Sequence, residues 1–284
     1  IFYSAGDTIL GADDKAGIAE LIEALEVVNE QDLPHGPIEV VVTIAEEIGL
    51  VGAKHFDYSL IQARYGYALD TEGVDMMVLQ APGANNIQVE IEGLASHAGM
   101  VPERGVSAIQ TASLAISKMR LGRIDFETTA NIGVIEGGVA RNIVPQKVSI
   151  VGEARSHDPV KLQEQTEHML SCFEAAADEM TREIDGKRVR PEINIDVRAD
   201  FPSMSVDEKA PVVTLARNAA ETLGHDLKIR LGGGGSDANI FNGHGVEMII
   251  LATGMTGVHT HDESVAVADM VRVTELLVEI VRQA

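Results

Sequence analysis

Ile38-Glu39-Val40-Val41-Val42-Thr43-Ile44, followed directly by Ala45-Glu46-Glu47, is the stretch that decides the fold class. A nearly unbroken run of β-branched residues is typical of a strand that is buried on both faces, as strands of parallel sheets are. Before it, apolar residues recur at helical spacing and predict a helix over 13–29. The helix and strand have the rhythm of an α/β domain, so we expect Glu46 and Glu47 where a strand leaves its sheet.

Further along the chain, the pattern changes from buried strands to alternating ones. Apolar strands are predicted over 65–69, which leads into Asp70, and over 76–79. The segment Ile87-Gln88-Val89-Glu90-Ile91-Glu92 then alternates strictly, which indicates a strand with one face in water. A different domain therefore begins near residue 85.

The second domain reads as β-α-β-β-α-β, the ferredoxin-like pattern. Its remaining elements are predicted as a helix over 106–118, strands over 129–135 and 148–154, a helix over 158–184 and a strand over 193–197.

The last part of the chain returns to the α/β pattern, with a helix over 211–223, a strand over 247–251 and a helix over 267–281. We therefore predict an α/β, mixed-sheet catalytic domain formed by 1–84 and 204–284, with an inserted ferredoxin-like α+β domain over 85–203.

Composition excludes several partners. The 284 residues carry a formal net charge of -22, which repels nucleic acid and anionic membranes alike. No stretch approaches the ~20 apolar residues needed to cross a bilayer. The single cysteine, Cys172, rules out an intrachain disulfide and fits a reducing compartment. We expect a cytoplasmic protein without nucleic-acid or membrane partners.

Potential metal donors stand at the ends of predicted elements. Asp13 begins a helix, Glu46 and Glu47 follow a strand, Asp70 ends another, and His259 follows the last strand. Carboxylates and imidazole are ligands of zinc, and strand ends on one sheet edge converge. The alternative for each residue is a helix cap or a solvated charge, and Glu46 and Glu47 could both cap a short helix that follows them.

Several ordered segments resemble peptidase T-like members of the glutamate-carboxypeptidase-like zinc peptidases, and the similarity extends over essentially the whole chain. None of them would suffice alone. The segments are Gly11-Ala12-Asp13-Asp14-Lys15-Ala16-Gly17, Ala45-Glu46-Glu47-Ile48-Gly49-Leu50-Val51-Gly52-Ala53-Lys54, Tyr67-Ala68-Leu69-Asp70, Ala95-Ser96-His97-Ala98-Gly99, Glu136-Gly137-Gly138 through Asn142-Ile143-Val144-Pro145, Gly232-Gly233-Gly234-Gly235-Ser236-Asp237-Ala238 and His259-Thr260-His261-Asp262-Glu263.

The resemblance implies two divalent metal ions, zinc first, with cobalt or manganese as alternatives. It implies that Asp13 bridges them, that Glu47 and His259 complete one site, and that Asp70 belongs to the other. Glu46 is then the general base for a water that bridges the ions. His259 is chosen over His261 because the family's histidine precedes a glutamate by four residues.

The resemblance also implies substrate contacts. The substrate would be a short peptide, and His97 would donate to the oxyanion, although a lone loop histidine is usually a surface residue. Asn142 and Arg155 would bind substrate carbonyl and carboxylate groups. The glycine run, with Gly233 and Gly234, lacks the ending of a phosphate-binding loop, and we predict that its backbone approaches the substrate. The inserted domain is expected to act as a lid and to form a homodimer.

One family motif is missing from the sequence. No His-x-Asp stands upstream of Gly11, so we expect that a leading segment is absent, that only one metal site keeps three protein ligands, and that the chain as given is inactive. Two alternatives stay open: an amino-acid deacylase or carboxypeptidase on the same scaffold, and a non-catalytic binding protein.

Overall fold

The chain folds into two compact units. The computed structural model describes residues 1–284. The first unit combines Ile1–Ala81 with Met204–Ala284, and the second unit comprises Pro82–Ser203.

The secondary-structure elements, in chain order, are β1 (Phe2–Tyr3), α1 (Ala12–Glu30), α2 (Val51–Lys54), β2 (Tyr65–Thr71), β3 (Met76–Ala81), β4 (Gly83–Glu92), α3 (Ala108–Lys118), β5 (Gly122–Arg123), β6 (Thr128–Gly137), β7 (Lys147–Ser156), α4 (Pro159–Glu179), β8 (Arg182–Ile184), β9 (Lys187–Val189), β10 (Glu192–Phe201), β11 (Met204–Ser205), α5 (Pro211–Thr222), β12 (Lys228–Leu231), α6 (Asp237–Gly243), β13 (Glu247–Ala252), β14 (Met255–Thr256), β15 (Ser264–Val265) and α7 (Val267–Gln283).

A mixed sheet forms the centre of the first unit, as predicted. Its strand order is β11-β3-β13-β2, and β12 pairs with β3. The pairs β2–β13 and β3–β12 are parallel, whereas β3 and β13 are antiparallel. Met77, Leu79, Ile249 and Leu251 are fully buried and belong to one apolar core that also includes residues of α5 and α7.

The prediction of a buried strand over 38–44 is wrong. The segment forms no strand, and Ile38, Val40, Val42 and Ile44 are exposed, the last at 76%. β-branched residues favour extended backbone, but a strand also needs a neighbouring ladder of hydrogen bonds. This segment instead makes isolated bonds, such as the one from the Gly52 N–H to the Ile44 carbonyl at 2.9 Å. Glu46 and Glu47, which follow this segment, consequently lie at a turn and not at the end of a strand.

The second unit confirms the ferredoxin-like pattern. Its sheet order is β10-β4-β7-β6-β5, and every neighbouring pair is antiparallel. Counting its four long strands in chain order gives the spatial order four, one, three, two. Ile87, Val89 and Ile91 alternate into the core, where Phe173 of α4 and Ala112 of α3 are also buried.

Two predicted helix boundaries need correction. The helix expected from residue 106 begins after Ser107, whose hydroxyl accepts the Gln110 N–H and caps it. The helix expected to reach residue 184 ends at Glu179 and is followed by the hairpin β8–β9. Asp185 and Gly186 have positive φ values, as a two-residue hairpin turn requires, and this Asp-Gly signal was overlooked.

No helix in the structure is both long enough and apolar enough to cross a membrane. Cys172 is a free, buried thiol on α4.

Candidate metal centre

Three loops of the first unit carry predicted metal donors. Asp13 lies at the start of α1, just after Gly11, whose φ of 72° turns the chain into the helix. Glu47 lies in a turn that starts at Ala45, with φ 58°, and His259 itself has φ 63°. Positive φ is uncommon for residues other than glycine and clusters at functional sites. The local backbone is therefore set to project these side chains rather than to continue regular structure.

Asp13, Glu47 and His259 converge on one point. The Nε2 atom of His259 lies 3.1 Å from Asp13 Oδ2 and 3.1 Å from Glu47 Oε1. One donor atom from each residue lies within 4.8 Å of the other two. The ligands of a tetrahedral ion, at ~2.1 Å from it, are about 3.4 Å apart. One nitrogen and two oxygens at this spacing therefore fit a divalent cation.

Asp70 and Glu46 belong to the same cluster. Asp70 stands at the end of β2 and accepts a hydrogen bond from the Ser236 side chain. Burial, together with the charges of Asp13, Asp237 and Glu47, raises the pKa of Asp70 to about 7. Burial is also the main reason that the pKa of Glu46 rises to about 8, and the charges of Asp70 and Glu47 add to it.

The pKa values of Asp13 and His259 show the same concentration of negative charge. Burial and the charge of Glu47 raise the pKa of Asp13, although His259 opposes this. Burial lowers the pKa of His259, but Glu47 and Asp13 outweigh burial and leave it raised. Like charges held this close are costly unless a cation compensates them. The electrostatics of the cluster therefore also fit a bound cation.

Two carboxylates to which the sequence analysis gave no role complete what we call the acidic cluster. Asp14 is mostly buried, and burial with the charges of Asp70 and Asp13 raises its pKa to about 8. Asp237, at the start of α6, accepts a hydrogen bond from the Thr43 hydroxyl. The sequence feature that points to Asp237 is its position directly after a glycine run and at the start of a helix. The acidic cluster comprises Asp13, Asp14, Glu46, Glu47, Asp70 and Asp237.

In the second unit, His97 and Asn142 lie side by side on the surface. The Asn142 carbonyl accepts the Ala98 N–H at 2.9 Å, and His97 pairs with Ile143 in an isolated antiparallel bridge. The Nδ1 atom of His97 accepts the Gly99 N–H at 3.2 Å. In the neutral ring, that bond leaves the proton on Nε2, so His97 has the tautomer that an oxyanion donor needs.

Arg155 lies at the opposite end of β7 from this pair. Its guanidinium already binds both oxygens of Glu153, at 3.1 and 3.0 Å. The eight residue-to-residue steps from Lys147 to Arg155 span about 26 Å, whereas an extended tripeptide spans about 11 Å. Arg155 is therefore more than twice the length of a tripeptide from the end of β7 that follows Asn142 in sequence. The predicted roles of these residues stay predictions.

The glycine run follows β12 and leads into α6, which Ser236 caps. A Cβ at Gly232 would lie 2.9 Å from the Gln80 carbonyl oxygen, so packing requires glycine there. A Cβ at Gly233 would meet nothing within 4 Å. Close packing therefore explains Gly232, whereas the predicted substrate role of Gly233 and Gly234 stays a prediction.

A mixed α/β unit interrupted in sequence by a ferredoxin-like unit, with nitrogen and oxygen donors that converge in the first of them, is the arrangement of a candidate metalloprotein. Residues 10–283 match the model of the peptidase family M20/M25/M40. The chain belongs to this family.

Relatives agree with the family assignment. The chain is 45% identical over 280 residues to the uncharacterized protein YqjE of Bacillus subtilis, covering 98% of this chain and 73% of that protein. It is similar to the crystal structures of aminopeptidase PepT from Bacillus cereus, with 44% identity and a TM-score of 0.87, and of a tripeptidase from Staphylococcus aureus, with 40% identity and a TM-score of 0.91. Each alignment covers 99% of this chain and 73% of the other.

A more distant structure shares the fold. It is a Bacillus subtilis protein described as a dinuclear metal-binding peptidase of the M20 family, with 17% identity, a TM-score of 0.69, and coverage of 93% of this chain and 70% of that one. Together, the comparisons confirm the predicted resemblance, the fold class and the class of enzyme, a metallopeptidase.

Proposed function

We propose that this protein is an aminopeptidase that hydrolyses short peptides, tripeptides first, and that it uses two divalent ions, zinc before cobalt or manganese. The observation that carries the proposal is the convergence of Asp13, Glu47 and His259 beside the half-buried Glu46. The names of the Bacillus cereus and Staphylococcus aureus proteins support the choice of substrate.

Each ion has its own proposed ligands. Asp13, Glu47 and His259 would hold one ion, and Asp13 and Asp70 would contribute to the other. When bound, such ions act as Lewis acids that polarise the scissile carbonyl and favour ionisation of water. The proton transfers of the reaction are carried out by the protein's own side chains.

Glu46 is the proposed general base. Its carboxylate takes a proton from the water that attacks the peptide carbonyl, and the same proton then passes to the leaving amine as the C–N bond breaks. A base must be ionised at the working pH, and burial, together with the surrounding carboxylates, disfavours this by raising the Glu46 pKa to about 8. A divalent cation held by Asp13, Glu47 and His259 would lower the pKa of Glu46 again.

Assembly and location are proposals as well. The edge strand β10 offers ten residues for pairing with a second copy, which supports a homodimer through the second unit. The unpaired Cys172 supports a cytoplasmic location. Light scattering of the purified protein would test the first proposal, and cell fractionation the second.

The test of function combines a peptide panel with metal titration. We expect the native protein to release the first residue from tripeptides faster than it cleaves N-acylated amino acids or peptides with a blocked amino terminus. We also expect zinc to bind to the metal-free protein in the absence of any substrate. Faster cleavage of N-acylated amino acids would favour a deacylase, and absence of zinc binding would contradict the proposed centre.

A further inference from the structure

Glu263 reaches the start of α1 from the far end of the sequence. Its side chain is buried, at 1% exposure. One carboxylate oxygen, Oε2, accepts the Gly11 N–H at 2.6 Å, and the other, Oε1, accepts the Asp13 N–H at 3.0 Å. The partners lie 252 and 250 residues apart in sequence. This contact is therefore purely tertiary, and its two bonds use both oxygens.

The helix start needs such an acceptor. The first N–H groups of an α-helix have no partner within the helix, and a capping side chain usually accepts one of them. The N-cap of α1 is Gly11, which has no side chain to do so, and the backbone at Asp13 and Asp14 departs from helical geometry. A carboxylate is the favoured acceptor here because the N-terminal end of a helix is electrically positive. Glu263 thus accepts two N–H groups of the irregular segment that leads into α1.

Glu263 also links two of the proposed metal ligands. Asp13, whose N–H it accepts, is one of them, and His259, four residues earlier in its own loop, is another. The loop is a tight turn: the Thr260 hydroxyl donates to the Gly257 carbonyl at 2.6 Å and accepts the Asp262 N–H at 3.2 Å. A displacement of Glu263 would therefore move His259 relative to Asp13.

A second glutamate holds the other end of this loop. Oε1 of Glu72 accepts the Val258 N–H at 3.0 Å, immediately before His259. Glu72 stands two residues after Asp70, the proposed ligand at the end of β2. The His259 loop is thus tied at one end to the segment carrying Asp13 and at the other to the segment carrying Asp70.

We propose that Glu263 is a positioning residue, which holds Asp13 and His259 in the geometry for metal binding before any ion arrives, and that Glu72 assists it with one bond. This inference rests on the proposed function, since it presumes that these side chains bind a metal ion. Partners that orient metal ligands typically change metal affinity 10- to 100-fold when they are mutated. We expect a loss in this range for Glu263→Gln and a smaller loss for Glu72→Gln.

The test is a titration of the metal-free chain with Co²⁺, followed by calorimetry and by the visible absorption of the bound ion. The matched control is Asp262→Asn, which removes an exposed carboxylate next to Glu263. Thermal unfolding of every variant in EDTA measures the fold without metal. Weaker Co²⁺ binding and an altered absorption spectrum in folded Glu263→Gln, with a normal control, are the expected results.

Three outcomes would decide against the inference. Unchanged Co²⁺ affinity of Glu263→Gln, with a lower unfolding midpoint in EDTA, would make Glu263 an ordinary structural cap. Should the variant fail to fold, hydrogen exchange in the metal-free wild type decides, because fast exchange of the Gly11 and Asp13 amides would overturn preorganisation and slow exchange would support it. A wild type that binds no Co²⁺ would overturn the proposed function and this inference together.

Discussion

The surface of the second unit and the acidic cluster of the first unit differ in how their carboxylates are paired. In the second unit, acidic residues on the surface pair with lysine or arginine, as in Lys147 with Glu90 and Arg190 with Asp178. In the first unit, the carboxylates of the acidic cluster lie near one another instead. The charges that raise the pKa of Glu46 are all those of other carboxylates in the cluster. Surface pairs contribute little to stability, whereas concentrated like charge is costly. The concentration of negative charge therefore indicates that the acidic cluster is the region that binds a cationic ligand.

The largest expected effect is on catalysis. Glu46→Gln keeps the size of the side chain but removes its ability to take a proton, so hydrolysis of a tripeptide by the native protein should fall about 10²- to 10⁴-fold. Zinc stoichiometry should not change, because Glu46 is not a proposed ligand. The control is Glu23→Gln on the exposed side of α1. Activity of Glu46→Gln equal to that of the control would remove Glu46 from the mechanism.

Asp13 and Asp70 should differ in how many ions they hold. Asp13→Asn removes a ligand from both proposed sites, and we expect it to weaken all zinc binding by about 10-fold or more, since affinity depends on the number of ionised ligands. Asp70→Asn should spare the ion held by Glu47 and His259. Calorimetric titration with elemental analysis measures both. Equal stoichiometries in the two variants would contradict the assignment of Asp13 as the shared ligand.

Without metal, the acidic cluster should make stability fall as pH rises. The pKa values of Asp14 and Glu46 are raised to about 8, and that of Asp70 to about 7, from about 4 in the unfolded chain. The folded protein therefore binds more protons between these values, and the stabilisation present below pH 4 is lost as pH approaches 8. We expect the unfolding midpoint in EDTA to drop on the order of 5 °C between pH 5 and pH 8. A midpoint that rises over this interval would contradict the raised pKa values.

Glu20 offers a smaller test away from the ligands. It is buried on α1, neither carboxylate oxygen has a hydrogen-bond partner, and burial with the charge of Asp14 raises its pKa to about 8. Glu20→Met should raise the free energy of unfolding at pH 8 by about 1–3 kcal/mol, because an unpaired buried polar group is removed. Glu23→Met, the same change at an exposed site, should not. Denaturant titration of both variants measures the difference.

The smallest effect is expected in the second unit. The Arg155–Glu153 pair is partly exposed, so Arg155→Ala should lower the free energy of unfolding by about 1 kcal/mol or less. A loss of several kcal/mol would show that surface pairs in this unit carry more stability than the comparison allows. Thermal unfolding at two salt concentrations provides the measurement and its control.

The sequence predicted the topology better than the environment of single elements. Alternation in β4 correctly indicated where the ferredoxin-like sheet begins, because period-two burial is a local signal. The run from Ile38 to Ile44 misled, since β-branched residues favour extended backbone whether or not a partner strand is present.

The candidate site was partly foreseeable. Asp13, Glu47 and His259 could be named from ordered segments that resemble a known family. The contacts of Glu263 with Gly11 and Asp13 could not be foreseen from local pattern, because they join residues about 250 positions apart. The proximity of Asp237 to Glu46 likewise depends on tertiary packing rather than on local sequence.

The most direct test of the metal centre is anomalous diffraction at the zinc absorption edge from crystals of this protein grown with zinc. We predict a peak at about 2.0–2.2 Å from Asp13, Glu47 and His259. A map with zinc bound elsewhere, and no peak among these three side chains, would contradict the central claim.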